Sequence, residues 1–481
     1  MNTFVNSLNV YARKQPTLVA RTENGMRART TTSNPALDLF GSIGAMRGKN
    51  VIPAFAAAFA DNRDLALRIA QWARDVRGGA GERQLYRDIL LYLEREEPQL
   101  LLESRLLDNV PELGRFDDLF IFTNPAVKAK ALNVFVRALR EGNGLAAKWA
   151  PRKGRLAIEL RELLGFSPKR YRKFVVNMTN VVESDMCARN WNEINFSHVP
   201  SLAMTRYMTA FHRNAPEAFQ AYKDALKRND GSAKVNAGAV YPHDVIKTLG
   251  GAYSAMYGRV NENVVADAMW AALPNYMNGK NVLPMVDVSG SMAQPAGKDT
   301  SVQCLDVAVA LGLYCSDKST GAYKDIFLTF SGSPEFVQVK GTLSQKVSQM
   351  VTSSWAMNTS LHAAVEKVLD HALRNHVPAA DMPAILLVLS DMQFDECTRF
   401  DDSALQMFRR KYEDAGYEMP QIVFWNLRDA GNKPVRFNDN GVALVSGFSP
   451  SLMESVLAVE MDKFTPEAVM LKAVGKERYD W

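Results

Sequence analysis

The stretch Asn281-Val282-Leu283-Pro284-Met285-Val286-Asp287-Val288-Ser289-Gly290-Ser291-Met292 decides how this chain folds. Val282–Val286 is a short, continuous apolar run that stops at a carboxylate and two hydroxyls. A run of this kind, bounded by turn residues, predicts a strand buried on both faces, as in a parallel sheet covered by helices. Ligands of such sheets bind outside the carboxyl ends of the strands. Asp287, Ser289 and Ser291 begin where the strand ends, and alternate residues of a tight loop can aim to one side. A carboxylate and two hydroxyls are hard oxygen donors, suited to magnesium or manganese rather than zinc. Pro284 is the awkward residue, because proline cannot donate to a ladder; it predicts a bulge or a strand that starts after it.

Downstream the same texture continues. Apolar runs at Ile326–Phe330, Phe336–Val339, Ala384–Leu389, Gln421–Trp425 and Val442–Val445 alternate with helical patterns at Val302–Tyr314, Leu343–Met350, Leu361–Leu373 and Ala404–Tyr412. That alternation predicts a Rossmann-like α/β unit with a mostly parallel sheet. Two further loops carry oxygen donors: Asn358-Thr359-Ser360 before a helix, and Ser390-Asp391 at the end of the most apolar strand. The candidate metal set is therefore Asp287, Ser289, Ser291, Thr359 and Asp391. The plainer alternative makes Asp287 a turn residue and Thr359 and Asp391 helix caps. A phosphoryl-transfer aspartate of the haloacid-dehalogenase kind would need a second aspartate at position 289, which is serine. Asp395, Glu396, Asp401 and Asp402 read as a solvated acidic loop.

This Asp-x-Ser-x-Ser, Thr, Asp order matches the metal-ion-dependent adhesion site of von Willebrand A domains, and the resemblance covers about 281–450. It implies one magnesium or manganese ion with an open position that an acidic partner residue can fill, and no catalysis. No general base or second metal cluster accompanies the set, which argues against a metal-dependent hydrolase or nuclease.

Upstream the pattern is helical. Leu85, Ile89, Leu90 and Leu93 share one face within Glu82–Arg95, as do Val127, Ala131, Val134, Phe135 and Ala138 within Pro125–Arg140. Turn chemistry at 78–81, 141–144 and 229–232 separates the helices. The reading is a basic arm (1–33), an α-helical repeat array (34–280), the α/β unit (281–450) and a helical C-terminal segment (451–481), an α + α/β multidomain chain. Gly78-Gly79-Ala80-Gly81-Glu82-Arg83 lacks the Gly-Lys-Ser/Thr ending of a phosphate loop and reads as a flexible turn opening a helix.

Charge divides the chain at the same place. Residues 1–280 hold 39 Lys and Arg against 27 Asp and Glu, a net of +12, and residues 281–481 hold 18 against 25, a net of −7. Two modules with different partners are implied. The richest segment, 148–173, has nine basic and two acidic residues. Lys148, Trp149, Arg152, Lys153, Arg155, Lys169, Arg170, Tyr171, Arg172 and Lys173 are the candidate RNA-binding residues, because cations interleaved with aromatic faces suit single-stranded nucleic acid. Arg74, Arg77, Arg83 and Arg115 could extend the surface; a merely solvated basic face, with Trp149 in the core, is the alternative.

Cys187, Cys304, Cys315 and Cys397 form no CxxC pair, and the six histidines show no metal or triad spacing. No apolar run approaches the roughly 18 residues of a membrane helix, and the amino terminus lacks a secretory pattern. The expectation is a soluble, cytoplasmic, monomeric protein with free thiols.

A basic helical array followed by a von Willebrand A domain resembles the Ro autoantigen class, whose helical part is the TROVE module, and more closely a relative of that class in bacteriophages and plants. Three phrases carry the closer likeness: Arg77-Gly78-Gly79-Ala80-Gly81-Glu82-Arg83, Gly114-Arg115-Phe116-Asp117-Asp118-Leu119 and Ala147-Lys148-Trp149-Ala150-Pro151-Arg152. The resemblance implies a HEAT-like ring closed by the metal domain, binding small structured RNA or single-stranded RNA without catalysis. The competing reading is a protein-interaction adaptor that grips an acidic partner residue through the metal, as von Willebrand A proteins do beside MoxR-type AAA+ ATPases.

Overall fold

The computed structural model describes residues 19–21, 27–179, 181–238, 240–277, 279–297, 302–330, 333–353, 361–392, 402–428, 431 and 433–481. Thr359, Cys397, Asp395, Glu396 and Asp401 lie outside them, as does the Asp402 side chain. The residues from Pro35 to Ala271 are almost wholly helical, and the C-terminal part holds a six-stranded, mostly parallel sheet. The arm departs from the sequence reading. Its described residues form a small antiparallel hairpin, β1 (Val19–Arg21) with β2 (Arg27–Arg29).

The large sheet comprises β3 (Val282–Val286), β4 (Ile326–Thr329), β5 (Phe336–Gln338), β6 (Ile385–Ser390), β7 (Gln421–Asn426) and β8 (Val442–Ser446), in the order β5-β4-β3-β6-β7-β8. Only β5 runs antiparallel. Successive strand side chains point to opposite faces, and the two faces have different covers. Val286, Leu387, Leu389, Val423, Trp425 and Val445 pack with the Cys304–Lys318 and Leu343–Thr352 helices and with the helical half. Met285, Leu386, Val388, Ile422 and Phe424 pack with the Leu361–Arg374 helix and with Phe408 and Tyr412. Burial on both faces is why these strands are apolar without alternation.

Pro284 lies within β3 and keeps register with Leu387 of β6. The Asp287 N–H donates to Leu389 of β6, and backbone groups alternate in direction along a strand. The missing N–H of Pro284 therefore falls on the β4 side, where pairing begins only at Met285. The strand needs no bulge.

A helix early in the chain and the C-terminal segment close over the sheet. The Pro35–Ile43 helix, capped by the Asn34 side chain, lies against the β8 edge. Ser446 Oγ donates to the Phe40 carbonyl (2.8 Å) and accepts from Gly44 N–H (3.0 Å), and Asn426 donates to the Gly41 carbonyl (3.3 Å). A Cβ on Gly44 would stand 2.5 Å from Gly447, so this approach requires glycine. The Pro466–Val474 helix contacts both β8 and the Arg63–Arg74 helix. Beyond it, Tyr479 donates to Asp75 (2.9 Å), Gln71 donates to the Tyr479 carbonyl (2.6 Å) and Arg478 pairs with Asp75 (3.0 Å).

The far end of the helical half returns to the same place. Asp306, in the first turn of the Cys304–Lys318 helix, accepts the Ala252 N–H at 2.8 Å. Its carboxyl is raised above the ordinary value, chiefly by burial. Tyr241 sits against Gly81, and His243 lies between the rings of Tyr241 and Phe448. The 78–82 turn is thus not a flexible opener. A Cβ on Gly79 would stand 1.8 Å from the Trp72 carbonyl oxygen, and Glu82 is buried in an ion pair with Arg47 (2.7 Å).

Burial pushes the His243 imidazole down to about 4; Asp244 opposes the shift, and Arg47 and Lys247 add to it. An unfolded histidine titrates near 6.5, so between that pH and about 4 unfolding takes up a proton. The stability contributed by neutral His243 is complete above pH 6.5 and is lost as pH falls through the window. Replacing it (His243→Phe) keeps a ring and removes the proton. Denaturant unfolding across the window should lose a slope of up to about 1.4 kcal/mol per pH unit; an unchanged slope would show that His243 does not carry the acid sensitivity.

Candidate metal centre and basic surface

The sheet order reverses between β3 and β6: the chain leaves β3 for β4 on one side and later fills β6 on the other. In open α/β sheets that switch point is where ligands bind, beyond the strand ends. The two residues there are Asp287 and Asp391. Both carboxylates are buried. Asp287 Oδ1 accepts the Ser289 N–H (3.0 Å) and Oδ2 accepts the Ser390 hydroxyl (2.6 Å), which fixes the carboxylate across the β3–β6 gap. Ser289 Oγ and Ser291 Oγ lie 3.0 Å apart at the start of the Gly290–Ala293 turn, both half-buried. Met392 adopts a positive φ of 64°, and its N–H donates to Ser390 Oγ (3.1 Å), turning the chain sharply after Asp391.

Cys304 opens the next helix beside this pair. Its thiol is pushed up to about 12, first by burial and then by the Asp391 charge, with Arg428 opposing and Asp287 adding. It is therefore an inert thiol at neutral pH, and Cys315 is buried likewise, whereas Cys187 is exposed. The sequence reading missed Ser390, Cys304 and Arg428 as neighbours of the site; only Ser390 had a signal, as the residue adjoining Asp391.

Four of the five candidate ligands, Asp287, Ser289, Ser291 and Asp391, fall on the two loops at the switch point. The fifth, Thr359, is outside the described residues. Among the described residues no group of three or more His, Cys, Asp or Glu side chains is placed to hold a metal. The donors present are two carboxylates and two hydroxyls. That chemistry fits a hard divalent cation and no softer metal.

The basic segment folds into one surface. Pro151 accepts the Tyr171 hydroxyl (3.0 Å) and Arg152 donates to Thr179 (3.3 Å), so the 150–154 loop lies along the Pro168–Met178 helix. Tyr171 and Val175 turn inward, leaving Lys169, Arg172, Lys173 and Val176 exposed. Tyr171, 4% exposed, offers no stacking face; its ring belongs to the core. Arg170 covers the Phe166 ring at 4.2 Å. Lys148 reaches Glu183 (3.8 Å) and Arg155 pairs with Glu159 (3.0 Å). No acidic side chain lies within ion-pair distance of Lys153, Lys169, Arg170, Arg172 or Lys173 among the described residues, so these five cations face solvent uncompensated.

The expected extension through Arg74, Arg83 and Arg115 is different in kind. Arg74 is fully buried, its Nε and Nη2 both on Asp118 Oδ2 (3.0 and 2.8 Å). Arg83 and Arg87 donate to Asp118 Oδ1 (2.9 and 2.6 Å), and Arg83 also reaches Asp117 (2.5 Å). Arg115 grips Asp117 with two bonds of 3.1 Å and lies 3.7 Å above the Trp149 ring. Burial alone would raise the Asp118 carboxyl, but the three arginines outweigh it and hold it below the ordinary value. A Cβ on Gly114 would stand 2.4 Å from the Arg74 guanidinium. Arg77 is exposed and donates to the Glu112 carbonyl (3.2 Å), while Arg83 and Arg115 keep about a third of their side chains open to solvent. Sequence could not separate Arg74, Arg83 and Arg87 from surface arginines, because their aspartate partners lie 30 to 44 residues away, whereas Arg115 meets Asp117 two residues on.

Residues 281–478 match a family model described as a domain of unknown function, DUF7788, and residues 162–282 match another, DUF2828, described in the same way. The chain is 27% identical over 512 residues to the uncharacterized protein L728 of Acanthamoeba polyphaga mimivirus, an alignment that covers 94% of this chain and 86% of that relative.

Removing a partner of a buried ion pair leaves an uncompensated charge. Arg74→Met should therefore cost about 3 kcal/mol of stability by denaturant unfolding, even though Arg83 and Arg87 remain; a loss below about 1 kcal/mol would mean that they carry Asp118 without it.

Proposed function

We propose that this protein is a non-catalytic RNA-binding scaffold of the Ro/TROVE type, with a HEAT-like helical array that carries RNA and a von Willebrand A domain with a metal-dependent adhesion site. The observation that carries the RNA reading is the set of five uncompensated cations, Lys153, Lys169, Arg170, Arg172 and Lys173, on one surface beside Trp149. A solvated helix face ordinarily mixes both signs; here no acidic side chain among the described residues supplies the counter-charge. Phosphates entering this surface would release counterions, the main source of affinity for nucleic acid.

The von Willebrand A reading is supported by the strand order and by the two aspartates at the switch point. Asp287, Ser289, Ser291 and Asp391 would hold the ion, with Thr359 as the expected further ligand. A bound magnesium or manganese ion would offer an open position to an anionic oxygen of a partner. The protein's own contribution is to fix Asp287 through the Ser289 N–H and the Ser390 hydroxyl and to keep both carboxylates out of water. The HEAT-like ring is supported by the meeting of Gly81 with Tyr241, which brings an early turn of the helical half against its later part.

Reversal of Lys169, Arg170, Arg172 and Lys173 to glutamate should abolish binding of single-stranded RNA, and any residual binding should lose a salt slope of about 0.7 for each phosphate contact removed. Affinity within about twofold of the parent at fixed salt would overturn the reading. Sequencing of the nucleic acid that co-purifies with the native protein separates it from the adaptor reading. A discrete RNA is expected; a nucleic-acid-free protein that instead brings an ATPase with it, dependent on magnesium, would favour the adaptor.

Replacing Asp287 by alanine should remove magnesium binding in calorimetry and leave the helical half folded. Unchanged affinity for the ion would sink the site.

A further inference from the structure

The arginine network beside Trp149 holds more positive charge than its structural task requires. Four guanidiniums, Arg74, Arg83, Arg87 and Arg115, surround two carboxylates, Asp117 and Asp118. The cluster keeps a net charge of +2, and Arg74 alone already gives buried Asp118 a two-point partner. The other three are partly open to solvent, with side chains 33%, 20% and 36% exposed. Each binds aspartate through Nε and Nη2; among the described residues no protein acceptor meets their Nη1 groups. Arg115 is crowded as well: burial and the Arg83 charge pull its guanidinium below the ordinary value against the opposing pull of Asp117. Three preorganised arginines with spare donors present the planar forks that match phosphate oxygens. The Arg115 guanidinium also stands 3.7 Å over the Trp149 ring, a cation–aromatic pair against which a base can stack.

This cluster continues into the basic surface. Trp149 ends the Gly144–Trp149 helix, and the next residues, Ala150 to Arg152, lie against the Pro168–Met178 helix that carries Lys169, Arg172 and Lys173.

We propose that Arg83, Arg87 and Arg115 form a phosphodiester subsite that fixes one nucleotide of a single-stranded RNA, with the base stacked on the Arg115–Trp149 pair, while the lysine-rich helix holds the flanking strand. The proposal rests on the RNA reading above and gives that surface a defined register.

The test uses a ten-residue oligouridine and the full chain. Arg115→Lys keeps the charge but loses the fork and the stacking plane. It pairs only with Asp117 on its own loop, so the Arg74–Asp118 core stays intact. The expected result is an affinity about tenfold lower, the loss of roughly one stacked base, with an unchanged salt slope. In the parent protein, ultraviolet cross-linking of 4-thiouridine-substituted oligouridine should place adducts on Trp149 or within Gly114–Phe116. Parent-like affinity in Arg115→Lys and Arg115→Ala, while the four-residue charge reversal abolishes binding, would overturn the subsite and leave the RNA reading standing. Adducts confined to 167–178 would do the same. Failure of the parent protein to bind oligouridine would overturn both.

Discussion

A mostly parallel sheet must be buried on both faces, and its open edge must be covered, because an unpaired strand is a template for further pairing. That requirement organises this molecule. The face that carries Val286, Leu389 and Trp425 is sealed by two helices of the α/β part together with the helical half, and the β8 edge is covered by the Pro35–Ile43 and Pro466–Val474 helices. The first and last α-helices among the described residues therefore meet over one strand. Tyr479, Asp75 and Gln71 fasten the chain's C-terminal residues to the N-terminal helices, so the helical and α/β parts share one core although their net charges are opposite.

The second organiser is the buried aspartate at 118. An isolated carboxylate in that position would be prohibitively costly, and it is tolerated because Arg74, Arg83 and Arg87 converge on it. That demand brings together the 77–83 and 114–119 segments, and Arg115 adds the 147–152 segment through Trp149. Their sequence separation hid a single assembly. Its location beside the uncompensated cations of 153–173 makes the buried network the scaffold on which the proposed RNA surface is built.

At the opposite pole of the charge distribution, the switch point of the sheet brings Asp287 and Asp391 together from strands separated by about a hundred residues. Parallel pairing of β3 with β6 aligns their carboxyl ends, so the two acidic loops are neighbours by register rather than by any local signal. Ser390 and the Ser289 N–H orient Asp287 and so fix its carboxylate across the β3–β6 gap.

The strands and helices from 282 to 474 were legible in sequence, because runs buried on both faces are apolar throughout and helices keep their 3.6-residue period. Pro125–Arg140 and Val282–Val286 occupy the predicted residues. The placing of Asp287, Ser289, Ser291 and Asp391 at the ends of β3 and β6 was legible too, since strand ends and their polar successors are local features. Tertiary structure alone decided what became of the polar groups inside. It turned Arg74 and Tyr171 inward, made the Gly78–Gly81 turn a packed joint against Trp72 and Tyr241, and laid the Pro35–Ile43 and Pro466–Val474 helices over β8. Apart from the local contact of Gly79 with Trp72, each of these depends on a partner twenty to several hundred residues away, and an arginine that neutralises a buried aspartate has the same sequence signature as one that waits on the surface for a phosphate.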